Sequence, residues 1–247
     1  VSPADLQRLV DALQAERLKS TVPAVEGWIQ EWGQKQLDAL GVSTSFDMRN
    51  PLVTDFLDGF RDVKLVGIND TTATTIRDVV QRASEEGQGI DEIRRRIGGV
   101  FDDAKGYRAE RIARTEAVGS ANAANVAAWQ ISGLVDEKEW LAVPDDQTRE
   151  THADMDGQKV GISEAFTSPS GATTQGPGMF GIPEEDINCR CTARPIINYP
   201  SGKAADLDRV AMWRAFDVDV RAGESRIAAA FASAFEAQRR DVLDALR

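Results

Sequence analysis

From Asp102 to Gly133 the sequence contains no proline and sets Ala109, Ala113, Ala117, Ala121 and Ala124 at spacings of four and three. At 3.6 residues per turn these alanines share one face of a helix, and side chains this small let a neighbouring backbone come close. Alanine is also the strongest helix former. The segment therefore predicts a central helix with other elements packed along its alanine stripe. The same helix carries Arg108, Arg111 and Arg114 at steps of three, with Glu110 and Glu116 alongside; charge at that spacing reads as a solvated, ion-paired face.

Helical periodicity continues on both sides. In "VPAVEGWIQEWGQKQLDAL", Val25, Trp28, Ile29, Trp32 and Leu40 mark one apolar face. "NDTTATTIRDVV" predicts an N-cap at Asn69 or Asp70, with Ile76, Val79, Val80 and Ala83 turned inward. "EEGQG" ends that helix, and Asp91 opens the next, whose core residues are Ile93, Ile97, Val100 and Phe101. After Gly133 the pattern changes. "EKEWLAV" alternates as a strand does, residues 167–181 have the glycine, serine and proline of a mobile loop, and "CTARPIIN" returns to a strand. From Ala204 a proline-free stretch with Ile227, Phe231, Ala234, Phe235, Val242 and Leu246 predicts a long helix. At ~1.5 Å per residue it would span roughly 60 Å if straight, so it either bends back or reaches a partner.

The expected fold is α+β, mainly α: an N-terminal helical region over 1–68, a helical core over 69–133, a small β module over 134–198 and a C-terminal helix over 199–247. A net charge of -11 and a pI near 4.7 set a field that repels phosphate backbones and anionic membrane surfaces, so a DNA contact gets no support from charge. No charge-free apolar run approaches the ~20 residues that cross a bilayer. The opening "VSPADLQRLV" meets Asp5 too early for a secretory signal, which predicts an intracellular protein. A start at Val1 and a helical pattern running into "VLDALR" predict a piece of a longer chain.

The chemistry-bearing residues concentrate in the β module. "INCRC" holds both cysteines, Cys189 and Cys191, around Arg190. On a strand the two sulfurs face one side, and a disulfide across one residue demands strained geometry. Two readings remain: small buried hydrophobes, or soft ligands for one metal such as a structural zinc. The chain's single histidine, His152, lies in "QTRETHADMDG" and makes a third candidate ligand, with Asp154 or Asp156 as the candidate fourth. A catalytic alternative uses His152 with Asp145, Asp146, Asp154 and Asp156 as acid and base of a metal-dependent hydrolase or nuclease-like toxin domain. No G-x-S-x-G, P-loop or H-E-x-x-H motif accompanies it.

Three stretches in order, "RAERIARTEAVGSANAAN", "WLAVPDDQTRETHADMDGQKV" and "INCRCTARPI", resemble the phage minor head protein family, also called Mu F-like or head morphogenesis proteins. The matching positions are Arg114, Thr115 and Glu116; Trp140, Asp145, Thr148, Arg149, His152, Asp156 and Gly157; and Asn188, Cys189, Arg190 and Cys191. The resemblance covers about residues 70–198. It implies a structural, non-enzymatic virion protein of few copies near the portal or neck, assembled in the host cytoplasm, acting in head morphogenesis and in DNA packaging or delivery. Portal, capsid and neck proteins are the implied partners, with the C-terminal helix as the binding element. Some relatives carry C-x-x-C where this chain has Arg149 and His152, so one ligand position of that set is lost to arginine. Arg114, Glu116, Arg149, Asp156 and Arg190 are then expected to form a charge network that fixes the β module to the central helix.

Overall fold

The computed structural model describes residues 18–197 and 209–246, which divide into two compact units, each assembled from separated stretches of chain. The first is the described part of Val1–Ala24, Asp58–Glu110 and Arg226–Arg247; the second is that of Val25–Leu57 and Arg111–Ser225. The helices are α1 (Val22–Ala39), α2 (Pro51–Gly59), α3 (Leu65–Glu85), α4 (Ile90–Asp103), α5 (Ala109–Ser132), the short α6 (Glu150–Asp154) and α7 (Pro183–Asp186), and α8 (Arg209–Ala245). The strands are β1 (Glu137–Leu141), β2 (Lys159–Gly161), β3 (Phe166–Thr167), β4 (Thr173–Thr174) and β5 (Thr192–Ile196). The protein is mainly α with a small antiparallel sheet. No described helix is long and apolar enough to cross a membrane.

The first unit has an apolar helical core. Ile76, Ile93, Ile97 and Phe101 are buried as the periodicity predicts, together with Phe60 and, from α8, Ile227, Phe231 and Phe235. Phe60 meets Phe231 edge-on at 6.4 Å between ring centres. Full burial of each such side chain contributes about 1.5–3 kcal/mol. Two details differ from the sequence reading. Helix α3 begins at Leu65, before the expected cap; Asn69 lies inside it, buried, and its Oδ1 accepts a 2.9 Å bond from Gln238 Nε2. Buried Leu65 extends the apolar stripe one turn backwards, and Asn69 is spent on a tertiary contact. The long helix from Asp102 is also interrupted. A five-residue π turn at Ala104–Arg108, with Gly106 at ψ -117°, separates α4 from α5. Arg108 then turns inward, donating 2.7 Å bonds to Thr72 Oγ1 and Ile68 O and lying over Phe235, so it is not part of a solvated charged face.

The second unit is organised on α5. Ala113, Ala117, Ala121 and Ala124 are all fully buried, and their small size is used as expected. Trp28 of α1 donates its indole N–H to Ala117 O at 3.2 Å, and Trp32 donates to Asn125 Oδ1 at 2.7 Å. Gly223 of α8 lies so close to the Trp28 ring that a Cβ there would sit 2.3 Å from it. On another side Gly119 meets the carbonyl of Gly178, which has φ +76°; side chains at either position would separate helix and loop.

The three-stranded sheet has the order β2-β1-β5, all antiparallel. Central β1 pairs Glu139 with Arg194 and Trp140 with Ala193 across β5. Cross-strand neighbours interact, and Arg194 accordingly grips Glu139 at 2.6 Å. Segment 167–181 is less open than its composition suggests. The β3–β4 hairpin spans its first half, and buried Lys138 donates from β1 to Gln175 O at 3.0 Å and to Gln175 Oε1 at 2.8 Å. Burial pushes the Lys138 ammonium down to about pKa 8. At the start of α8, Arg209 bonds both Glu139, at 2.6 Å, and Asp156, at 2.5 Å.

Helix α8 keeps the predicted stripe, and the stripe is consumed within the chain. Phe216 and Val220 are buried in the second unit, and Ile227, Phe231, Phe235 and Val242 in the first. Expectations for residues 1–17, 198–208 and 247, including the last residue of the β5 pattern and the first turn of the C-terminal helix, lie outside the described residues.

Candidate metal centre

Two very short helices place the site. A turn in which Asp145 Oδ1 accepts Gln147 N–H and Thr148 Oγ1 donates to Val143 O leads into α6. Arg149 precedes α6 with extended ψ, 145°, and its guanidinium donates to Ile187 O. His152 consequently points inward. It is 1% exposed, meets Trp140 edge-on at 5.4 Å and stacks with Phe180 at 5.9 Å. Pro183 opens α7, and the Asp186 carboxylate accepts the backbone N–H groups of Phe180 and Gly181 at 2.9 and 2.8 Å. Asn188 then takes φ 58°, a left-handed conformation that asparagine tolerates better than most residues, and swings Cys189 and Cys191 under His152.

The cysteines are not on a strand, as their spacing suggests; β5 begins one residue later, at Thr192. The turn nevertheless brings both sulfurs to one side. Cys189 Sγ lies 3.7 Å and Cys191 Sγ 3.6 Å from His152 Nδ1, and all three donor atoms fall within 4.8 Å of one another. Both cysteines are free and 2% exposed. Their surroundings push the two thiols in opposite directions. The hydrogen bond from Cys189, and after it His152, lowers the Cys191 thiol, whereas the bond to Cys191 and burial raise Cys189.

This donor set fits one zinc ion. Zn–N and Zn–S bonds of ~2.0 and ~2.3 Å at a tetrahedral angle place nitrogen and sulfur about 3.5 Å apart, close to the spacings found. Asp154 and Asp156 do not approach. Asp154 is exposed, and Asp156 is engaged by Ala142 N at 2.9 Å and by Arg209. Among the described residues the protein therefore supplies three ligands.

The expected charge network takes another form. Arg114 reaches Glu224 of α8 at 3.3 Å, and Arg190 forks onto Asp145 at 2.6 and 2.7 Å. Glu116 is buried on α5, where its carbonyl accepts from Ser120. Neutral side chains tie α5 to the module. Asn122 Nδ2 donates to Pro177 O and Cys191 O, both at 3.1 Å, while Oδ1 accepts from Thr192 Oγ1 at 3.0 Å and Ala193 N at 3.2 Å. Thr115 Oγ1 accepts Asn188 N–H at 3.1 Å, so the "RTE" and "NCRC" stretches touch directly. Asn122 went unnoticed in the sequence because an asparagine within an alanine-rich run carries no pattern of its own. Glu185 and Asp186 went unnoticed because acidic residues after a proline read as a solvated helix start.

These contacting stretches fall within one known pattern. Residues 74–194 match the family model described as Phage Mu protein F like protein. The chain is Mu F-like across this segment. A minor head protein, GP7 of Bacillus phage SPP1, is 34% identical over 73 residues, 29% of this chain and 24% of that protein. The NAD(+)--arginine ADP-ribosyltransferase EFV of Enterococcus faecalis is 34% identical over 138 residues, 55% of this chain and 28% of its own. The uncharacterized protein YqbB of Bacillus subtilis is 23% identical over 196 residues, 76% of this chain and 63% of its own. The chain thus spans between about a quarter and under two thirds of these relatives. No solved structure matches. The Mu F-like segment relates this chain to phage head proteins.

Proposed function

We propose that this protein is a structural minor head protein of a tailed phage or phage-derived particle, acting in head morphogenesis near the portal and in DNA packaging or delivery. The observation that carries this reading is the direct junction of the family's signature stretches. Thr115 of "RTE" bonds Asn188 of "NCRC", and Asn122 holds the strand that follows. Residues used to bond one element to another serve architecture. Neighbouring virion proteins are the proposed partners, met through the outward face of α8, where Val218 is exposed.

In this reading His152, Cys189 and Cys191 hold one structural zinc, which supplies cross-linking of α6 to the turn before β5. The hydrolase alternative has less support. His152 is almost fully enclosed and the aspartates proposed to work with it are engaged elsewhere or exposed. The transferase name belongs to a relative of which the shared segment is 28%.

The test is to purify particles made with the gene intact or interrupted. The protein is expected in the head fraction at few copies, and its loss is expected to leave heads malformed or poorly filled. Finding it absent from purified particles overturns the assignment.

A further inference from the structure

The metal reading leaves unexplained the buried carboxylate behind the histidine. Glu185 is 7% exposed, and its Oε2 lies 3.1 Å from His152 Nε2, on the ring edge opposite the sulfurs. Two hydroxyls hold that carboxylate: Thr151 Oγ1 donates to Oε2 at 3.0 Å and Ser170 Oγ donates to Oε1 at 3.4 Å. The three residues come from α6, α7 and the β3–β4 turn. His152 Nε2 is buried, and its 3.1 Å approach to Glu185 is not aligned as a formed hydrogen bond.

We infer that Glu185 is a positioning residue for metal binding: it accepts a hydrogen bond from Nε2–H, which keeps the proton there and presents the Nδ1 lone pair to an ion held by Cys189 and Cys191. This rests on the metal reading above. A neutral imidazole has one protonated and one bare nitrogen, and the partner of one decides the role of the other. A carboxylate at Nε2 favours the proton there, fixes the ring plane and makes Nδ1 a stronger donor. With Asp154 and Asp156 turned away, the three protein ligands leave one position of a tetrahedral ion for an exchangeable ligand such as water or a thiolate. Arg149, three residues before His152, is committed to Ile187 O.

The experiment uses the whole chain with zinc and with cobalt(II) as probes. Wild type is expected to bind one equivalent, Cys191→Ser to lose binding, and Glu185→Leu to bind about 10–100-fold more weakly, with Glu185→Gln between them because its amide oxygen still accepts. Because His152 is the only histidine, its ring nitrogens give an unambiguous long-range ¹H–¹⁵N spectrum in the zinc-loaded protein. Metal on Nδ1 and a proton on Nε2 are expected. Failure of wild type to bind either ion overturns the metal reading and this inference with it. Wild-type binding with undiminished affinity in Glu185→Leu, or metal on Nε2, overturns the inference alone. Unchanged melting of the metal-free Glu185→Leu variant separates loss of positioning from loss of fold.

Discussion

The first unit and the β module of the second differ in how many ionisable groups their buried interiors carry. Around Phe60, Phe101, Phe231 and Phe235 the interior is mostly apolar, with the Asn69–Gln238 and Thr72–Arg108 bonds beside it; apolar attraction is non-directional and scales with area removed from water. In the β module an apolar cluster of Trp140, Met155, Phe166, Cys189, Cys191 and Ala193 is accompanied by the buried polar groups of Lys138, Glu139, His152, Glu185, Asp186 and Thr192. Each of these polar groups needs a partner at a fixed angle. An apolar core tolerates a shifted neighbour more readily than a polar one does, which makes the module the natural place for a geometry-dependent site.

The largest expected difference comes from truncation. Phe231→Ala removes a fully buried ring and should cost about 3–5 kcal/mol, read by chemical denaturation; a loss below ~1 kcal/mol would break the contrast from the apolar side. Asn122→Ala removes little volume, yet it strands the partners of a residue bonding Pro177, Cys191, Thr192 and Ala193. With ~1–3 kcal/mol for each orphaned buried group, partly offset by relaxation, a loss of about 3 kcal/mol is expected. A near-neutral result would mean that the module is held by apolar packing after all.

Smaller effects sharpen the same comparison. Glu139→Gln leaves Arg194 and Arg209 without their shared carboxylate. Both arginines reach solvent, so about 2 kcal/mol is expected, below the ~3–5 kcal/mol of a fully buried broken pair; hydrogen exchange at β1 and β5 should report it. The smallest effect is on pH dependence. The folded Lys138 titrates at about 8, below its usual 10.5, because burial penalises its charge. Between those values the unfolded chain binds more protons than the folded one, so this group's contribution to stability rises with pH across that window. Lys138→Met should flatten that rise, and an unaltered slope between pH 8 and 10.5 would remove Lys138 from the account.

The alanine stripe of α5, the phenylalanine face of α8 and the strands on either side of the module were legible in the sequence, because periodic burial leaves a periodic pattern. The same periodicity misplaced the start of α3 at Asn69 and passed over the break at Gly106, since neither a tertiary amide contact nor a local backbone kink leaves a repeat. Arg114, Glu116, Arg149, Asp156 and Arg190 were expected to form one network, whereas Arg114, Arg149, Asp156 and Arg190 bond Glu224, Ile187 O, Arg209 and Asp145. Charge announces that a partner exists without saying which one.

By itself the sequence determined the mainly helical character, the embedded β module, the likeness to minor head proteins and the grouping of His152 with Cys189 and Cys191. Only the tertiary structure decided that Asp154 and Asp156 stand apart, that Glu185 backs the histidine, and that Asn122 and Thr115 join helix to module. The reason is directional. Burial depends on an average environment that spacing along the chain already encodes, whereas ligation and hydrogen bonding depend on distances and angles between residues such as Asn69 and Gln238, 169 positions apart, fixed only when the backbone has closed.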